Sequence, residues 1–196
     1  PGDPRPGLLA PEADLRTDVP GYRVYREGQL DRELGDITKL WREDLVAVLI
    51  GCSFTFEQAL ISAGIPMRHW ELDCNVAMYA TNRSCVPSGG FSGPLVVTMR
   101  PIPHELVSRA VRVTSQYHRV HGAPVHIGAP QQLGIDRLNE PDYGDPLPVN
   151  EGEVPVFWAC GVTPQQAALH SKTPLMITHA PGHMFVSDLR IEELLG

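Results

Sequence analysis

Val154-Pro155-Val156-Phe157-Trp158-Ala159-Cys160-Gly161-Val162-Thr163-Pro164-Gln165-Gln166-Ala167-Ala168 reads as a buried strand that runs into a tight turn and then into a capped helix. The apolar run is nearly continuous, the pattern of a strand covered on both faces. A thiol stands where strand gives way to turn. An earlier stretch has the same form: Val46-Ala47-Val48-Leu49-Ile50-Gly51-Cys52-Ser53-Phe54-Thr55-Phe56-Glu57-Gln58-Ala59-Leu60. Laid over each other, Val46/Val154, Val48/Val156, Cys52/Cys160, Thr55/Thr163, Gln58/Gln166 and Ala59/Ala167 are identical. The chain therefore reads as two related strand-turn-helix units.

Material around these units sets the expected architecture. Residues 1–20 carry five prolines and no periodic pattern, an extended surface arm. Tyr22, Val24 and Leu30 around Glu27-Gly28 predict a hairpin, and Asp36 or Thr38 caps a short helix through Leu45. The first central strand is expected over 45–50. Thr55 with Gln58 makes a capping box for a helix ending at Gly64. A strand over 95–99, a helix from Pro103 and a strand over 123–127 make a β-α-β piece. Further strands are expected at 175–178 and 184–186. The prediction is an α/β fold: a mixed-sheet α/β lobe from 1–65 and 150–196, built on the two related units, with a smaller α+β lobe, 66–149, inserted.

Composition excludes several classes of function. The 196 residues carry a net charge of −7 and only two lysines, Lys39 and Lys172. Nucleic-acid binding would leave a clustered basic stripe, and there is none. No apolar run reaches the length of a membrane span, and no signal peptide opens the chain, so a cytoplasmic protein is expected. The cysteines at 52, 74, 85 and 160 form no CxxC pair, which removes zinc-knuckle and thioredoxin-like readings. The chain opens at Pro1 without an initiator Met and reads as a fragment or a processed product.

The residues that could carry chemistry are few. Cys52 and Cys160 each sit just ahead of a helix N-terminus, whose dipole is expected to favour thiolate. His121-Gly122-Ala123-Pro124-Val125-His126 and His179-Ala180-Pro181-Gly182-His183 both place imidazoles at the two ends of a Pro-bearing turn. Such turns are unlike the helix-borne metalloprotease pattern. His121, His126, His179 and His183 are candidates for proton transfer; a divalent metal is admitted but not required, and no ligand set is assigned. Arg100 at a strand end and Arg83, beside Asn82, are candidate carboxylate clamps, with Asn82 a further candidate substrate contact. Ser53, Thr55, Gly161 and Thr163, at the turns before the two helices, are candidate carboxylate-binding positions.

Taken together, the stretches Gly51–Glu57, Met99-Arg100-Pro101-Ile102, His121–Gly128, Val154–Gln165 and Thr178–Met184 resemble the D-glutamate cyclase-like family, whose bacterial members are called hydro-lyases. The resemblance runs from about Pro1 to Leu189. It implies an α/β fold with an inserted lobe and a lyase that closes D-glutamate to 5-oxo-D-proline with loss of water. It also implies a further N-terminal segment ahead of the position matching Pro1. The expected partners are a small carboxylate substrate, that segment as a separate chain, and further copies of this chain in a homo-oligomer. Two other readings stand beside it. A cofactor-independent racemase would use two thiols, one from each pseudo-symmetric half, and Cys52 and Cys160 have that placement. A small-acid binding module would need the helix N-termini and Arg100 but no thiol or imidazole.

Overall fold

The computed structural model describes residues 1–195. It bears out the α/β class, with two antiparallel sheets and four short α-helices among the described residues. Two compact units emerge: residues 1–49 with 168–190, and residues 50–167 with 191–195. The division differs from the expected one, because 50–65 and 150–167 belong with the middle of the chain.

In the first unit, strands β1 (Tyr22–Arg26) and β2 (Gln29–Leu34) form the predicted hairpin. Its turn residues Glu27 and Gly28 both have positive φ, 49° and 78°, as a tight two-residue connection requires. The late strand β7 (Met176–His179) pairs with β1, giving the order β2-β1-β7. The N-terminal arm is tied down: the Tyr22 hydroxyl accepts from the Val19 N–H at 3.2 Å and donates to the Leu15 carbonyl at 2.9 Å. Ala10, Leu15 and Val19 are buried. The helix expected through Leu45 is only a 3₁₀ turn, Thr38–Leu40, whose first N–H donates to Asp36 Oδ1 at 2.6 Å.

The strand expected over 45–50 is not formed. The run is outside every named strand, and Val46 and Val48 are 68% and 71% exposed. Its apolar pattern matches that of its repeat partner, but no neighbouring strand supplies a ladder. Nor does 184–186 form a strand.

In the second unit, helix α1 (Glu57–Ser62) follows a 3₁₀ turn at Ser53–Phe56. No side chain caps it, so the expected Thr55–Gln58 box is absent. Helix α2 (Arg68–Glu71) leads to β3 (Ala77–Ser84), then β4 (Pro94–Pro103), α3 (Val107–Thr114), β5 (His126–Ile127) and β6 (Glu153–Ala159). Strand order is β3-β4-β6-β5. The β-α-β piece is present, with β6 entering between its two strands. Helix α4 (Val162–His170) follows β6 directly.

Period-2 alternation sends successive residues of β4 and β6 to opposite faces. Ile102, Val156 and Trp158 join Phe56, Leu60, Ile65 and Ala110 in one core. Val97, Met99 and Phe157 join Ala77, Tyr79, Leu133 and Leu147 in the other. Apolar layers on both faces explain why β6 reads as an almost unbroken apolar run. Each fully buried large side chain contributes about 1.5–3 kcal/mol, and the two layers hold the strand ends from which the Cys160 turn departs.

Candidate functional site

The two Cys turns are built alike. The Thr55 N–H donates to the Cys52 carbonyl at 3.1 Å, and the Thr163 N–H donates to the Cys160 carbonyl at 3.0 Å. In each turn the N–H two residues on points at the thiol: Val162 N lies 3.5 Å from Cys160 Sγ, and the Phe54 N–H does the same for Cys52. These groups are therefore directed at sulfur, and the repeat seen in sequence is a repeat of turn geometry. The second turn is clasped to β4, where the Thr163 hydroxyl accepts from the Val96 N–H at 3.0 Å and donates to the Val96 carbonyl at 3.1 Å.

The turns face each other. A Cβ placed on Gly161 would lie 3.8 Å from the Gly51 carbonyl oxygen and from Ile50 Cγ2. Gly51 is held more tightly, because a Cβ there would lie 2.3 Å from Val120 Cγ1. The segment behind it, His118–Val120, is a 3₁₀ turn ending at His121, whose φ is 86°. A non-glycine residue in the left-handed region costs about 1–3 kcal/mol, and such residues gather at functional sites. The His121 ring lies beside the Gly51 carbonyl, and its buried Nε2 has no hydrogen-bond partner among the described residues.

Electrostatics set the protonation states. Burial lowers the pKa of His121, against the pull of the Gly51 carbonyl, and the Arg100 charge adds to the lowering. A neutral imidazole follows at pH 7. Burial pushes the Cys160 thiol up to about 11, and it raises Cys52 as well. The helix-dipole expectation is thus corrected: desolvation outweighs the turn N–H groups, and both cysteines are protonated at neutral pH.

Arg100 is buried, 1% exposed, on the β4 face that meets α1. Its Nε donates to Glu57 Oε1 at 2.9 Å, one terminal nitrogen reaches both the same oxygen and Ser53 Oγ (3.1 Å), and the other reaches Thr98 Oγ1 at 3.1 Å. Phe56 and Trp158 rings lie 5.5 Å from its guanidinium carbon. The fork expected to clamp a substrate is thus engaged by Glu57. Ser53, also expected to bind substrate, is a buried acceptor for Arg100.

The other candidates separate. His126, half-buried on β5, donates from Nε2 to its own loop at the Ala129 carbonyl, 3.1 Å away. His179 and His183 belong to the first unit and donate to the carbonyls of Ala180 (2.7 Å) and Pro181 (2.8 Å). They are turn histidines bonded to backbone. Asn82 is exposed on β3. No three His, Cys, Asp or Glu side chains among the described residues are grouped to hold a metal ion, and no helix there is long and apolar enough to cross a membrane.

Three site residues escaped the sequence reading. Glu57 is 1% exposed and also takes the Trp70 Nε1–H at 2.8 Å. His69 Nε2 lies 3.0 Å from Glu57 Oε1. Met78 Sδ lies 3.6 Å from Cys160 Sγ. Glu57 had a signal: in the superposed repeats its counterpart is Gln165, so one copy carries a charge where the other does not.

Comparisons with known proteins bear on the family of the chain. The family model for D-glutamate cyclase matches residues 46–188. A "putative hydro-lyase" of Geobacillus kaustophilus is 59% identical over 194 residues, covering 99% of this chain and 74% of its own. A protein of that name from Rubrobacter xylanophilus is 60% identical over 192 residues, with 98% and 74% covered. One from Bacillus subtilis is 56% identical over 193 residues, with 98% and 75% covered.

Proposed function

The chain belongs to the D-glutamate cyclase family, and from that premise we propose that it is a hydro-lyase acting on a small amino or carboxylic acid, with D-glutamate as the substrate and 5-oxo-D-proline and water as the products. The observation that carries the site assignment is the neutral His121 imidazole at the Cys52 turn, held at the Gly51 carbonyl with its buried Nε2 left without a partner among the described residues.

Ring closure forms a C–N bond between the amine and the distal carboxyl carbon and breaks a C–O bond to release water. On the way to the lactam the ammonium gives up two protons, the first before nitrogen attacks, and the departing carboxylate oxygen gains both as it leaves as water. A neutral His121 can carry them, one at a time, from nitrogen to the leaving oxygen. Protonated Cys52 and Cys160 can donate hydrogen bonds to the oxyanion that develops at the carboxyl carbon. The same protonation states argue against the two-thiol racemase, which needs one thiolate resting on each catalytic cycle to remove the α-proton.

The test is incubation of this chain, and of the full-length Geobacillus kaustophilus relative, with D- and L-glutamate, with and without added divalent metal, read by chiral chromatography. Formation of 5-oxo-D-proline from the D-enantiomer, reduced at least 100-fold by His121→Asn, is the expected result. Interconversion of the enantiomers by either protein, or full turnover by His121→Asn, overturns the reading.

A further inference from the structure

The buried Glu57–Arg100 pair has no step in the ring closure, yet it lies directly behind the Cys52 turn. A charge pair this deep is costly to desolvate and persists only with its hydrogen bonds satisfied. Here they are. Glu57 receives Arg100 and Trp70 and sits against His69, while the Arg100 guanidinium lies against the adjoining Phe56 and Trp158 rings, 5.5 Å from each. The terminal nitrogen of Arg100 that reaches Glu57 also donates to Ser53 Oγ, and Ser53 is the residue next to Cys52.

We infer that Glu57, Arg100 and Ser53 form a positioning device for the Cys52 thiol: Glu57 fixes the guanidinium, the guanidinium fixes Ser53, and Ser53 fixes the turn that faces Cys160. The inference rests on the proposed function for its catalytic consequence but not for its geometry. The charges that face Cys52 are those of Arg100, which favours thiolate, and Glu57, which opposes it, and the Cys160 thiol of the facing turn is a further titratable group against it. The second repeat carries Gln165 at the Glu57 position, and its turn is held by the Thr163–Val96 clasp.

The test uses Ser53→Ala, Glu57→Gln and, as a control, Glu153→Gln. The control breaks the Arg68–Glu153 pair of the same unit (2.6 Å), which makes no contact with the Cys52 turn. Turnover of D-glutamate and the pH profile of Cys52 alkylation by iodoacetamide, followed by peptide mass spectrometry, are read on each folded protein. Ser53→Ala is expected to lower kcat at least tenfold with KM changed less than twofold. Glu57→Gln is expected to do the same and to move the Cys52 alkylation profile to lower pH by about one unit, since Arg100 then acts unopposed. Glu153→Gln should move neither. Ser53→Ala loses a single hydroxyl and decides the question if Glu57→Gln does not fold, through kcat or, failing turnover, a changed Cys52 alkylation rate relative to Cys160. A wild-type protein without D-glutamate turnover defeats the proposed substrate, while the alkylation arm still decides the positioning device. Unchanged Cys52 alkylation in both variants overturns it.

Discussion

At the scale of single residues, two glycines in equivalent turns have different obligations. Gly51 is pressed against Val120, and Gly161 is in open contact. Gly51→Ala is expected to cost about 1–3 kcal/mol through overpacking, and Gly161→Ala less than about 0.5 kcal/mol. Urea midpoints of the two variants check this; equal midpoints would mean that Val120 moves aside freely. The sequence made both cysteines and His121 visible, because thiols in a repeated turn and imidazoles around a Pro-bearing turn stand out as residue types. It did not reveal their protonation. A helix N-terminus is read from the chain, whereas desolvation depends on layers contributed by distant residues, and that term is the larger one at Cys160. For the same reason Arg100 looked like a free clamp: nothing near it in sequence announces Glu57.

At the scale of elements, the pairing of β4 with α1 determines how stability depends on pH. Burial alone pushes the Glu57 carboxyl up, but the close approach of His69 Nε2 and the charge of Arg100 overcome it and hold the pKa below its usual value. The folded state then binds this proton less readily than the unfolded chain. The stabilisation is present above the unfolded pKa of about 4.3 and is lost as pH falls through the lower, folded value. Glu57→Gln is expected to lose about 3–5 kcal/mol at pH 7, the cost of leaving Arg100 buried without its partner, and to show a shallower loss below about pH 5. Denaturant midpoints from pH 7 to pH 3 measure both; parallel curves would remove Glu57 from the acid limb. Carboxylates away from this pair, such as half-buried Asp14 and exposed Asp36, act equally in both proteins and cancel in the comparison. The elements themselves were unevenly legible. The β1–β2 hairpin and β6 were plain from alternation and apolar content. The capping box failed because α1 begins one residue later, with Phe56 at its cap position after a 3₁₀ turn, and a local Thr–Gln pattern cannot show where the first helical turn tightens.

At the scale of the whole chain, the repeat predicts more symmetry than is formed. Val154–Ala159 and Leu45–Ile50 share their pattern, yet only the first lies between two strands. Apolar character reports a tendency to be buried and says nothing of which neighbours are present to do it. Hydrogen exchange should therefore separate the two copies: amides of 46–50 are expected to exchange in the fastest class, and those of 156–159 close to the slowest. Similar protection in both would show that the first run finds a strand partner in solution. The unit boundaries were illegible for a related reason, since they follow contacts among distant residues and not changes in composition. One buried ring gives the second unit an optical signature. Of the three tryptophans, Trp70 is largely exposed and Trp41 half-buried, whereas Trp158 is wholly enclosed, with its indole N–H on Thr114 Oγ1 and a guanidinium against its face. The blue edge of the protein's fluorescence therefore belongs to a single ring seated on Arg100, and its colour and quenching report whether the charge behind the Cys52 turn is in place.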